Sequence, residues 1–369
     1  MLDVCEIVIH RLVMPLQMRF ETSFGVQTDR DVILLEVRTQ DGYVGWGESV
    51  AARSPLYNEE TTDTVEAILR KELIPLALNT KWAHPSEFFK KTLFLHGNRM
   101  AKFALEGALW DIWAQQQGLP LAQAIGGTKS KVDVGVSIGI KPIPELLQEI
   151  EDYYGQGYRR IKIKIRPGWD TEPVAAVRQK FPHVPLMVDA NAAYDENHFP
   201  TLLELDKYGL MMIEQPLADN AWEEYANLQS QLETPLCLDE SIHTLEDALR
   251  AIHMKACRII NVKLGRVGGI QAALELTKVA KEAGIQLWCG GMLETGVGRA
   301  LNIAIATLDG FTLPGDTAAS ARYWNPDIIL PEVTVTDGQI TVPPSPGLGY
   351  SVNIDQIARY QEAQWHFRA

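Results

Sequence analysis

The chain has 369 residues, 46% of them hydrophobic and 22% charged, with a formal net charge of −13 and a pI near 5.1. That length exceeds one small domain and suits a large α/β barrel with a smaller companion. An acidic balance without a basic stripe argues against nucleic acid, and no segment approaches the roughly 20 apolar residues of a membrane span.

The chain starts "MLDVCEIVIHRL", with Asp3 and Glu6 where a signal peptide has positive charge, so a cytoplasmic protein is expected. Cys5, Cys237, Cys257 and Cys289 form no C-x-x-C pair and read as reduced thiols. In chain order, residues 1 to about 60 read as strands. "DVILLEVRTQDGYVGWGE" is a hairpin turning at Asp41-Gly42. Residues from about 60 to 125 read as helix, and "MAKFALEGALWDIWAQQQG" stops at Gly118 with Pro120 beyond.

From about 130 to 325, short apolar runs alternate with helical patterns. The runs are "VDVGVSIGI", "RRIKIKI", "VPLMVDA", "LMMIEQP", "PLCLDES", "RIINVKL" and "IQLWCGG". Such alternation predicts parallel strands buried on both faces, and this many units predict a closed TIM-type barrel. An open doubly wound sheet is the competitor, but the Gly-rich phosphate turn it needs is missing. The tail "ILPEVTVTDGQITVPPSPGLGY" reads as a hairpin followed by a loop that packs back on residues 1–125.

"RRIKIKIRPGWD" places Lys162 and Lys164 on one face of a strand, and the isoleucines between them on the other. Further charges follow in phase: Lys164 to Asp189, Asp189 to Glu214 and Glu214 to Asp239 are each 25 residues, and Asp239 to Lys263 is 24. One βα unit takes about 30 residues, so each unit carries one charge at the carboxyl end of its strand, where barrel enzymes keep their active sites. A lone Asp there is usually a cap or turn residue and a lone Lys is usually solvated; five in phase are not explained that way. Three mutually repelling carboxylates of hard oxygen donors suit Mg²⁺, with Mn²⁺ or another divalent cation able to substitute, and no His or Cys joins them to suggest zinc. A lysine beside such a site can remove a proton next to a substrate carboxylate, provided its pKa is lowered, and Lys162 would lower that of Lys164.

"KIKI", "VDAN", "IEQP", "LDES", "NVKLGRVGG" and "GGMLETGVG" together resemble the enolase superfamily, muconate-lactonizing subgroup. "YRRIKIKIRPGWD" and "ETSFG" resemble its o-succinylbenzoate synthase / N-acylamino acid racemase family most. The resemblance implies a (β/α)₇β barrel over residues 129–325, with an α+β capping domain from residues 1–128 completed by 326–369. It implies that Asp189, Glu214 and Asp239 bind Mg²⁺, that Lys164 is the acid/base, that Lys263 opposes it and that Lys162 supports it electrostatically. Ser137, Asn191, Gly291 and Met292 match pocket positions, with Gly290 next to them, and glycine there allows a close backbone approach to substrate. Phe20 and Phe24 would lie on a loop closing over the barrel. Arg266 would tune Lys263 from behind, and Glu240 would support the ligands.

The implied activity is o-succinylbenzoate synthase of menaquinone biosynthesis, dehydrating a succinyl-hydroxycyclohexadiene carboxylate through an enediolate, with N-acylamino acid racemase activity beside it. A small carboxylate is the expected partner, and a homo-oligomer the expected assembly. A dedicated racemase is the main alternative, and muconate cycloisomerase a further one. Dipeptide epimerases carry an Asp-x-Asp pair near the last strand, and "GGMLETG" has none; mandelate racemase relatives use a His where Lys263 stands. A non-catalytic metal-binding barrel would predict a broken charge series, and this one is intact.

Overall fold

The computed structural model describes residues 1–22 and 25–369; Phe24 and the side chains of residues 19–26, Phe20 among them, lie outside the described residues. β1 (Leu2–Thr22), β2 (Gly25–Thr39) and β3 (Val44–Ser49) pair antiparallel in chain order. Their second turn falls at the predicted place, with Gly42 at φ 88°, a conformation glycine adopts without steric penalty. The final strand, Gln361–Arg368, returns to pair with β1 on the side away from β2.

Against this sheet lies α1 (Arg99–Gln116), which ends before Gly118 at φ 67°. It is buried nearly all round because it sits between the sheet and the barrel. β3 approaches it through glycine: a Cβ on Gly47 would stand 1.9 Å from the carbonyl oxygen of Ala104. On the barrel side, Glu106 accepts a 2.9 Å hydrogen bond from the Gln271 amide at the start of the helix Ile270–Glu282. Its other oxygen has no partner and fills the space a Cβ on Gly269 would take.

The seven predicted parallel strands all form: β4 (Val136–Ile138), β5 (Ile161–Lys164), β6 (Leu186–Asp189), β7 (Ile213–Glu214), β8 (Leu236–Leu238), β9 (Ile259–Val262) and β10 (Gln286–Cys289). They pair in chain order in one curled sheet. The ring closes through the segment 311–316, which bridges Leu287 by Phe311 and Val134 by Gly315, both in parallel sense. The eighth position is thus reduced to two bridges, with the Gly135 amide donating to the Gly315 carbonyl at 2.7 Å.

Alternation sorts the barrel residues. Ile161 and Ile163 join the main core outside the ring, while Met187, Met212, Cys237, Ile259 and Trp288 form a separate apolar cluster. Their positions along the strands place that cluster inside the ring, as a floor beneath the charged rim. The predicted tail hairpin turns at Asp337-Gly338 but is reduced to one antiparallel bridge, Thr336 with Gln339. Gln339–Thr341 pairs instead with Lys131–Asp133, whose edge is open to it, and Ile329–Leu330 pairs with Ser351–Val352.

Burial pushes the Glu106 carboxyl from the ordinary 4.5 up to about 7. Between those values the folded chain holds a proton that the unfolded chain has released, so this group's contribution to stability falls as pH rises through the window and is flat above it. Replacing Glu106 by Gln should flatten that part of the thermal-unfolding profile between pH 4.5 and 7; an unchanged slope would contradict it.

Candidate active site

The cap and barrel enclose a cavity of about 480 Å³ whose lining includes Lys162, Lys164, Asp189, Asn191, Asp239 and Lys263. Lys164, Asp189 and Glu214 are the last residues of β5, β6 and β7, and Asp239 and Lys263 follow β8 and β9 directly. Counting the closing segment as the eighth position, Lys164 stands on the second and Lys263 on the sixth. The two lysines are therefore half a turn apart and face each other across the cavity.

Positive φ clusters at the same rim, at Asn191, Ala192, Gln215 and Leu293. Non-glycine residues rarely adopt it, and it persists where surrounding contacts impose it. Gln215 shows how: its buried carboxamide accepts from the Asp239 amide at 2.9 Å and donates to the Ser241 hydroxyl at 2.8 Å, fixing the turn that carries Asp239.

Each carboxylate meets a cation. Lys164 Nζ donates to Asp189 Oδ2 and to Asn191 Oδ1, each at 2.6 Å. Lys162 Nζ lies 3.4 Å from Asp189, 3.2 Å from Glu214 and 2.9 Å from Asp316. Lys263 Nζ donates to Asp239 Oδ2 and to the Tyr57 hydroxyl, each at 2.8 Å. Arg266 donates to the other Asp239 oxygen and, at 2.9 Å, to Tyr57. Arg266 thus touches both partners of Lys263.

Burial then sets the charges. Lys162 is held well above the ordinary lysine range: desolvation opposes its charge, but Asp316, Glu214 and Asp189 outweigh that. Lys263 is raised too, by Asp239, against its own desolvation. Glu214 is pushed up to about 7, first by burial and then by Asp189, with Asp239 adding. Glu240 reaches about 8, by burial and then by Asp239 and Asp189; it accepts from Asn191 Nδ2 at 2.9 Å, and its other oxygen has no partner.

Among the described residues, no three acidic, histidine or cysteine side chains form a ready cation cage. Each carboxylate is drawn instead to its nearest cation, and Asp239 turns to Lys263 and Arg266. The donor chemistry still fits a divalent ion. The three are hard-oxygen groups on successive strands, Asp189 and Asp239 both lie close enough to help push the Glu214 carboxyl up, and Asp189 and Glu214 already converge on the single Lys162 ammonium.

Ser137, Gly291 and Met292 line the cavity, and Arg322 anchors the Ser137 carbonyl at 2.7 Å. At Gly290 the missing side chain also serves a neighbour. A Cβ there would stand 2.2 Å from Asn261 Oδ1, so the missing side chain makes room for Asn261, which donates to Glu214 at 2.8 Å. "GGMLETG" ends the seventh strand rather than the last; at the eighth position Asp316 is followed by Thr317 and Ala318, again without an Asp-x-Asp pair.

Four participants went unread in the sequence: Arg160, Asn261, Asp316 and Tyr57. Arg160 and Asn261 lie two residues before Lys162 and Lys263, so strict alternation puts them on the same inner face. Arg160 packs 4.4 Å over the Trp288 ring and pairs with Asp316. Tyr57 has no local signal.

Family models match this architecture in two pieces. Residues 4–126 match the mandelate racemase / muconate lactonizing enzyme N-terminal domain, and residues 145–357 match the enolase C-terminal domain-like model. The chain is a member of the enolase superfamily. Within it, the chain belongs to the o-succinylbenzoate synthase / N-succinylamino acid racemase family of the muconate-lactonizing subgroup. It is 52% identical to the o-succinylbenzoate synthase of Geobacillus kaustophilus over 96% of this chain and 95% of that protein. It is 44% identical to the N-succinylamino acid racemase of Thermus thermophilus over 94% of each. A solved enolase-superfamily member from Listeria innocua superposes with a TM-score of 0.97 at 39% identity, covering 100% of both chains.

Asp316 is the counter-charge shared by Arg160 and Lys162. Removing one member of a buried charge cluster leaves the others uncompensated, so Asp316→Asn should lower unfolding free energy by about 3 kcal/mol. A denaturant midpoint equal to that of the parent chain would contradict this.

Proposed function

We propose that the chain is a divalent-metal-dependent o-succinylbenzoate synthase serving menaquinone biosynthesis, with N-succinyl- or other N-acylamino acid racemase activity at the same site. One observation carries the reading: two lysines half a turn apart face one cavity, each braced by a carboxylate. The relatives named above point the same way. Asp189, Glu214 and Asp239 would hold Mg²⁺, or Mn²⁺ in its place. When bound, the ion supplies positive charge beside the substrate carboxylate as negative charge builds there.

Lys164 removes the proton from the carbon next to that carboxylate, breaking C–H and forming N–H. In the synthase reaction it returns that proton to the departing hydroxyl, and water leaves as the ring becomes aromatic. Lys263, charged on the opposite side, stabilises the developing negative charge. In the racemase reaction Lys263 instead delivers a proton to the opposite face. Lys162 keeps a positive charge beside both steps. Ser137, Asn191, Gly291 and Met292 would bound the substrate pocket.

A dedicated racemase is the second reading, and Arg266 favours it: it braces Asp239 and Tyr57, the two groups that hold the lysine only racemisation needs as a base. The division proposed is a capping unit of residues 1–128 and 326–369 around a barrel of residues 129–325. It is supported by the pairing of Gln361–Arg368 with β1, although Gln339–Thr341 pairs at the barrel's own entry strand. A cytoplasmic homo-oligomer completes the proposal. Its four cysteines are free, and among the described residues no helix is long and apolar enough to cross a membrane.

Purified protein with Mg²⁺, assayed on both substrate classes, should show synthase activity with racemase activity beside it. Replacing either Lys164 or Lys263 by Ala should abolish both. A rate on N-succinyl amino acids far above the synthase rate would reverse the order of the two activities. Either reaction persisting near the parent rate in Lys164→Ala or Lys263→Ala would remove the two-lysine mechanism.

A further inference from the structure

Tyr57 lies on the loop that leaves β3 and crosses the barrel mouth, and both ends of that loop are fixed. Ala52 and Thr61 form a parallel bridge, and the Thr62 amide donates to the Ala52 carbonyl at 3.0 Å. Near one end, Arg53 pairs with Asp29 at 3.2 Å and with Asp31, both on β2. At the other, the Glu60 carboxylate accepts from the amides of Met100 at 2.9 Å and Ala101 at 3.2 Å, in the first turn of α1. A loop tied to rigid elements on both sides delivers its middle residue to a set place. There the Tyr57 oxygen accepts from Lys263 Nζ at 2.8 Å and from Arg266 Nη1 at 2.9 Å, and Lys263 Nζ stands 4.6 Å from the phenol ring centre. Burial, reinforced by Asp239, pushes the phenol up to about 12, so the hydroxyl stays neutral at working pH.

A lysine ammonium has three N–H directions. In Lys263 one goes to Asp239 and one to Tyr57, leaving the third for substrate. Lys164 repeats the arrangement with Asp189 and Asn191. Asn191, however, belongs to the barrel, whereas Tyr57 comes from the cap. We infer that Tyr57 is a positioning residue that aims the third direction of Lys263 at the reacting carbon, so that the second base is complete only when the cap loop is seated on the barrel. The inference rests on the proposal that Lys164 and Lys263 are opposed bases.

Solvent deuterium exchange tests it on the Mg²⁺-loaded enzyme, with each enantiomer of an N-succinyl amino acid incubated in D₂O. Exchange breaks the Cα–H bond, forms N–H on a lysine and returns a deuteron from that lysine. Lys263→Ala identifies the enantiomer whose proton Lys263 takes. Tyr57→Phe keeps the ring and removes the acceptor. It should slow exchange from that enantiomer about tenfold more than from the other, the scale of a modest misplacement of a reacting group. Tyr57→Leu should skew exchange in the same direction, and thermal melting checks that both variants fold. Equal slowing of the two enantiomers, or none, overturns the role of Tyr57 and leaves the two-base proposal standing. A parent enzyme that exchanges neither enantiomer overturns that proposal, and the inference with it.

Discussion

The interaction on which the rest depends is the mutual compensation of buried charges at the carboxyl ends of the barrel strands. Asp189, Glu214 and Asp239 are each about 1% exposed or less, and Lys162 is 4% exposed. Isolated charges at that depth would cost several kcal/mol apiece. With lysines flanking three successive carboxylates, each charge has a counter-charge within reach. The ring exists because parallel strands end at one rim, and it is buried because the cap covers that rim while Met187, Met212, Cys237, Ile259 and Trp288 floor it.

The same compensation explains why the chemistry is poised. The carboxylates keep Lys162 and Lys263 charged, while burial, with Asp189 and Asp239 adding, pushes the Glu214 carboxyl up to about 7. A divalent cation would offset the repulsion among the three carboxylates and loosen their hold on the lysines. Proton abstraction needs a neutral lysine, so a metal held by these oxygens would be linked to the base through the groups they compete for. The cap takes part as well: it supplies Tyr57 to one lysine and, through Glu106, the cap for a helix on the barrel's outside.

What the sequence made legible was periodic. Lys162 and Lys164 fall on one face because strand side chains alternate, and the 25-residue spacing of the acids reflects one βα unit each. Arg160 and Asn261 obey the same alternation and could have been read from it. Tyr57 could not: its partner Lys263 is 206 residues away, and nothing in "SPLYNEE" marks the tyrosine as a contact of the barrel. Asp316 was hidden because the eighth strand is reduced to bridges and carries no apolar run. The room Gly290 makes for Asn261 was not legible, because a glycine that admits a neighbouring side chain looks, in sequence, like one that admits a ligand.

The central claim is that the three carboxylates, now spread among four cations, can gather one divalent ion. Titrating Mn²⁺ into the protein and following free Mn²⁺ by electron paramagnetic resonance tests this directly, without any substrate. One ion bound per chain, lost when Glu214 is replaced by Gln while the fold is retained, is the expected result. No binding by the parent chain, or binding unchanged by Glu214→Gln, would contradict it.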